Sequence, residues 1–168
     1  IAMEKFLYWI DNNAGEGVTE YDAMQVLDEY RAEIEGYHSL SFGTISAYGP
    51  SAALPHYMTP AEGSLELQRY GLYLVDSGGQ YDFGTTDITR TVPLGECSQE
   101  EMLDYTLVLK AHIRCAMAVL PAGSFGIQLD AISRDCLWRA RKNFFHGLGH
   151  GVGMFLGVHE CPPNVRSR

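Results

Sequence analysis

The chain has 168 residues, 46% of them apolar, and a formal net charge of −9. That length and composition fit one globular domain with a core of its own. The negative balance argues against nucleic acid or an anionic membrane as the main partner, and no twenty-residue apolar run of the kind a membrane helix needs is present. The four cysteines, Cys97, Cys115, Cys136 and Cys161, form no Cys-x-x-Cys pair. They read as reduced thiols of a cytoplasmic protein.

The elements follow in an α+β order. Met3, Phe6, Leu7 and Ile10 mark one face of a first helix, which Asn12, Asn13 and Gly15 end. Thr19 with Asp22 reads as a capping box. It opens a second helix with an apolar stripe of Ala23, Val26, Leu27, Tyr30 and Ile34. Residues 38–58 read as strands and loops. A strand-like segment, Tyr73 to Val75, then leads into Asp76, and a β-branched segment from Thr86 to Val92 contains Asp87. Gly78, Gly79, Asp82 and Gly84 lie between them and are turn residues. The spacing predicts a hairpin that folds Asp76 against Asp87. Two facing carboxylates repel unless a cation or a shared proton intervenes. Aspartates beside turns also commonly cap backbone N–H groups, so the pair alone leaves both readings open.

Ser98 with Glu101 is a second capping box. It predicts a third helix with Met102, Tyr105, Leu109, Ile113 and Ala116 on its inner side, stopped by Pro121 and Gly123. A fourth helix is expected from about Ile127 to Trp138, with Leu129, Ile132 and Cys136 inward. Beyond it, three of the six histidines fall within fourteen residues, His146, His150 and His159, among five glycines. Glycine at that density points to close backbone approach or unusual dihedrals. Neutral imidazole with carboxylate suits Mn, Fe, Co or Zn, and a site without thiolate is of the catalytic kind.

The Asp76 to Asp87 spacing, the run Gly84-Thr85-Thr86-Asp87-Ile88-Thr89-Arg90-Thr91 and the run His146-Gly-Leu-Gly-His150-Gly-Val-Gly with Val158-His159-Glu160 resemble the Xaa-Pro aminopeptidases (aminopeptidase P). These are pita-bread metallopeptidases, related to prolidase, methionine aminopeptidase and creatinase. The run from Leu40 to Tyr57 also matches, with His56 twenty residues before Asp76. The resemblance covers essentially the whole chain. Phe83 stands where the family often has Asp, and Cys161 where Gly is usual; neither is an expected ligand.

The resemblance implies an α+β pita-bread fold and two divalent metal ions, Mn first, with Co or Zn as alternatives. It makes Asp76, Asp87 and His150 metal ligands, Asp87 bridging the two ions. It places His56 against the substrate near the scissile bond and His159 on the tetrahedral intermediate, with His146 an active-site neighbour. The implied reaction is hydrolysis of an N-terminal Xaa–Pro bond by a metal-bound hydroxide, on peptides with proline at the second position, in a cytoplasmic homodimer. The family's two further ligands are glutamates in Asn-Glu-Pro-Gly-like and Arg-Ile-Glu-Asn-like runs, and neither run is present. Residues 1–168 are therefore expected to form a partial catalytic domain, incomplete at the C-terminus and inactive alone. A prolidase or creatinase-like hydrolase, or a non-catalytic binding module on the same fold, are the alternatives.

Overall fold

The structure, a computed structural model, describes residues 1–166 and divides into two compact units. The first comprises Ile1–Cys97 with Val152–Val158. Its first helix, α1 (Ala2–Asn13), buries Ala2, Met3, Phe6 and Ile10, three or four residues apart on one face. The second, α2 (Glu20–Ala32), starts at the expected capping box. Thr19 Oγ1 accepts from Asp22 N at 3.2 Å, and Asp22 Oδ2 accepts from Thr19 N at 2.9 Å. The buried residues of α2 are Ala23 and Leu27, but also Glu20 and Arg31. Ile34, expected on the stripe, lies beyond the end of the helix, where its N–H closes a turn on Arg31 O.

The strands are β1 (Tyr37–Leu40), β2 (Ile45–Tyr48), β3 (Leu72–Ser77), β4 (Gly79–Tyr81), β5 (Gly84–Thr85) and β6 (Ile88–Pro93), with a 3-10 turn at Gly49–Ala53. One antiparallel sheet runs β2-β3-β6 and another β1-β4-β5. The expected hairpin is present with an addition. Between β3 and β6 the chain makes a smaller hairpin, β4–β5, which pairs with β1 instead of extending the parent sheet. In β3 burial alternates along the strand: Tyr73, Val75 and Ser77 are buried, and Leu72, Leu74 and Asp76 are half-buried. That alternation follows from the two-residue period of a strand with one face on the core. Phe6, Ile10, Leu27, Leu67, Tyr73 and Val75 are the largest fully enclosed apolar residues at its centre.

The second unit comprises Ser98–Gly151 and the segment from His159. It holds α3 (Gln99–Met117), α4 (Gly126–Arg139) and an antiparallel pair, β7 (Gly149–Gly151) and β8 (Glu160–Val165). The Ser98–Glu101 capping box forms as expected. The inner faces of both helices differ from expectation. On α3 the buried residues are Leu107 and Ala111, whereas Met102, Tyr105, Leu109 and Ile113 are exposed. Apolar residues surround most of α3, so periodicity selects no face there. On α4 the buried residues are Asp130, Ser133, Arg134 and Leu137. Ile132 is exposed, and Cys136 packs against the small core of Leu107, Ala111 and Leu137. The inward stripe of α4 is mostly polar, which an apolar pattern cannot reveal. Among the described residues no helix is long and apolar enough to cross a membrane, and the four cysteines are unbridged.

Candidate functional site

In the β3–β6 ladder Asp76 stands opposite Thr89. Asp87 immediately precedes β6, one residue beyond the last pair of the ladder. The Ser77–Ile88 pair thus joins the residue after Asp76 to the residue after Asp87. Asp76 Oδ1 is shut off from solvent. The ladder ends at Ser77–Ile88, because the next residues lock into a tight turn. Thr86 N donates to Gly79 O and Gly79 N to Thr86 Oγ1, each at 2.9 Å. Ser41 N donates to Gly78 O at 3.1 Å and Ser41 Oγ to Thr86 O at 2.8 Å. Gly78 is required here: a Cβ on it would overlap the Thr86 carbonyl and the Ser41 hydroxyl.

The other end of this arrangement is tied to α2. The buried Arg31 guanidinium donates to Ser77 Oγ at 2.8 Å, to Ser77 O at 3.2 Å and to the Tyr81 hydroxyl at 3.4 Å. It thereby holds the residue that follows Asp76. Asp87 lines a hollow of about 660 Å³ with Arg31, Ile34, Tyr81, Phe83 and Ile88, which leaves room for a ligand beside the carboxylate.

His56 is exposed, on the loop that follows the 3-10 turn. That loop is pinned at both of its near neighbours. Thr59 Oγ1 accepts from Ser46 N and donates to Ser46 O, both at 3.0 Å. The Tyr57 hydroxyl donates to the fully buried Glu20 at 2.8 Å. Burial, its first cause, pushes the Tyr57 hydroxyl above the ordinary phenol range, so it stays a donor. Glu20 also accepts from Tyr48 N at 2.7 Å and Leu65 N at 3.1 Å.

In the second unit His150 lies on β7 opposite Asn164. Its ring stands 4.3 Å from that of His159, edge to face. His150 Nδ1 is 2.8 Å from Gly151 O. A carbonyl only accepts, so Nδ1 holds the proton and Nε2 is the unprotonated nitrogen of the neutral ring, the form that binds a metal. His146 has the same arrangement, Nδ1 at 2.8 Å from Gly147 O, and its ring lies 4.6 Å from Phe144.

Within the first unit the hairpin joins the segments that carry Asp76 and Asp87, and within the second the rings of His150 and His159 lie together. Among the described residues no three His, Cys, Asp or Glu side chains gather into a metal cage. Carboxylate and imidazole are nonetheless donor types that suit a divalent ion. Sequence reasoning passed over Glu20, Arg31, Asp130 and Arg134. Their signal was positional, since each occupies an inward position of its helix where an apolar residue is usual.

The sequence profile of metallopeptidase family M24 matches residues 1–168. The chain belongs to this family. This M24 chain is 43% identical to an uncharacterised peptidase of Schizosaccharomyces pombe and 43% identical to an Xaa-Pro aminopeptidase of Caenorhabditis elegans, in each case over 99% of its own length and 28% of the relative's. The crystal structure of the Caenorhabditis elegans enzyme, described as cytosolic with a di-nuclear active site, superposes with a TM-score of 0.93. Prolidase from Pyrococcus furiosus superposes with a TM-score of 0.82 at 29% identity, over 98% of this chain and 47% of that one. The M24 chain therefore has the α+β pita-bread architecture expected of it, and spans little more than a quarter of the length of the curated relatives it matches.

Proposed function

We propose that residues 1–168 form part of the catalytic domain of a metal-dependent aminopeptidase that hydrolyses the N-terminal Xaa–Pro bond of peptides. The observation that supports this reading is the β3–β6 hairpin, whose last pair joins Ser77, next to Asp76, with Ile88, next to Asp87. Asp76, Asp87 and His150 would hold two divalent ions, with Mn²⁺ the first choice and Co²⁺ or Zn²⁺ the alternatives. The di-nuclear active site of the Caenorhabditis elegans relative supports the count of two. Such ions, when bound, polarise a carbonyl and acidify a water. Asp87 directly follows the hydrogen-bonded turn between Gly79 and Thr86, His159 would donate to the oxygen on which charge develops, His56 would contact the substrate near the scissile bond, and His146 would be a neighbour of the site. Proline at the second position is recognised by its fixed φ and its missing N–H.

The test uses the full-length protein with Mn²⁺ and a peptide beginning Ala-Pro. Release of the N-terminal alanine, its loss in chelator, and its fall to background in Asp87→Ala are expected; undiminished turnover in Asp87→Ala defeats the reading. The likeness to the Pyrococcus furiosus prolidase favours a second reading, cleavage of Xaa-Pro dipeptides only. Comparing Ala-Pro with Ala-Pro-Ala-Ala separates the two. A cytoplasmic location is the proposed one, supported by the relative described as cytosolic, and a homodimer is the proposed assembly, checked by sedimentation.

A further inference from the structure

The second unit contains a buried cation whose role is not to balance a surface charge. Arg134 is 5% exposed and Asp130, one helical turn earlier on α4, is 2% exposed. Arg134 Nε lies 3.0 and 2.9 Å from the two Asp130 oxygens. Its remaining nitrogens all point the other way. Nη1 donates to Asn143 Oδ1 at 3.2 Å and to Phe144 O, and Nη2 donates to His146 O at 2.6 Å. The guanidinium carbon also sits 3.8 Å from the centre of the Phe144 ring. One side chain thus holds residues 143, 144 and 146, the segment that enters β7 and its His150. Only a planar fork with five donors can do this; an ammonium on a flexible stem cannot. The same helix fixes the other strand of the pair. Gly126, at the start of α4, lies so close to β8 that a Cβ there would come within 3.1 Å of Val165 Cα.

We propose that Arg134, clamped by Asp130, is the positioning residue of the histidine segment: it sets the backbone from which His146 and His150 project. The proposal rests on the reading of His150 as a metal ligand. The competing view is that the pair only stabilises the unit. The two views diverge because a buried ion pair can often be replaced by apolar residues without loss of stability.

The test compares the full-length wild type with Arg134→Lys and with the double variant Asp130→Leu/Arg134→Leu. Three readouts are taken: cooperative unfolding, Mn²⁺ affinity by calorimetric titration, and hydrogen–deuterium exchange of the metal-free protein. The double variant is expected to unfold cooperatively near the wild-type midpoint. It should nevertheless bind Mn²⁺ roughly 10- to 100-fold more weakly, as loss of a ligand's supporting contacts does. Its amides from 143 to 151 should exchange faster while those of α3 keep their protection. Arg134→Lys, which keeps the charge and loses the fork, should show the same weakened affinity and faster exchange. Wild-type affinity and unchanged exchange at 143–151 in either folded variant overturn the proposal. Should the wild type bind no Mn²⁺, the metal reading falls, and exchange at 143–151 in Arg134→Lys still decides whether Arg134 positions the segment.

Discussion

Gly78→Ala adds one methyl group where the chain has no room for it. The new carbon would sit 2.8 Å from the Thr86 carbonyl carbon and closer still to its oxygen and to Ser41 Oγ. The Ser41 hydroxyl can rotate aside, at the loss of its 2.8 Å bond to Thr86 O. The Thr86 backbone cannot. Ordinary carbon contacts are about 3.5–4.0 Å, so Thr86 must retreat by about 0.7–1.2 Å. Asp87 is the next residue and moves with it. Overpacking of this kind costs about 1–3 kcal/mol, read as a lower denaturant midpoint. Ligand bonds to a divalent ion are about 2.0–2.2 Å long and tolerate errors of only about 0.2 Å. Mn²⁺ binding by the full-length protein is therefore expected to weaken at least about tenfold, which is about 1.4 kcal/mol. Gly43→Ala is the control, because a Cβ at Gly43 meets nothing within 4 Å. It should leave stability and affinity alone. If Gly78→Ala matches that control in both measurements, the claim that close approach at Gly78 sets the position of Asp87 is wrong.

Glu20→Gln preserves size and should still destabilise by about 1–3 kcal/mol. The carboxylate accepts from Tyr48 N, Tyr57 Oη and Leu65 N, and an amide must turn its own NH₂ toward one of these donors. A thermal midpoint equal to wild type contradicts this, and amide exchange across residues 54–59 should rise in the variant. Asp22 offers a pH test. Hydrogen bonds from Thr19 hold its carboxyl below the usual range, so the unfolded chain binds its proton more readily than the folded one. Its contribution to stability is present above about pH 4 and is lost as pH falls through the lowered folded value. The difference in melting temperature between wild type and Asp22→Asn should accordingly shrink from pH 6 to pH 2.5; a constant difference speaks against the cap as its source.

How legible this chain was depends on the kind of residue. Capping boxes are local and chemically specific, so Thr19–Asp22 and Ser98–Glu101 could be read directly and both form. The aspartate pair was readable because turn residues and strand residues alternate around it. The inner face of α3 was not, since Leu107 and Ala111 are no more apolar than the residues beside them. The polar interior was hidden for a different reason. Glu20, Arg31, Asp130 and Arg134 are each buried, and a pattern that sorts charge to the surface assigns all four to solvent. Glu20 and Arg31 are kept inside by hydrogen bonds to backbone groups far away in sequence, and Asp130 and Arg134 by their mutual pair and by the carbonyls of Phe144 and His146. The β4–β5 excursion was likewise invisible, because its partner β1 lies some forty residues upstream.

The alternation along β3 ties folding fidelity to chemistry. Tyr73 and Val75 face the core and Asp76 faces away from it. Sliding β3 by one residue against β6 would exchange those faces, sending Asp76 inward as an uncompensated charge and two large apolar side chains outward. A misregistered molecule is therefore disfavoured, and the burial of Tyr73 and Val75 acts as a proofreader for the position of Asp76.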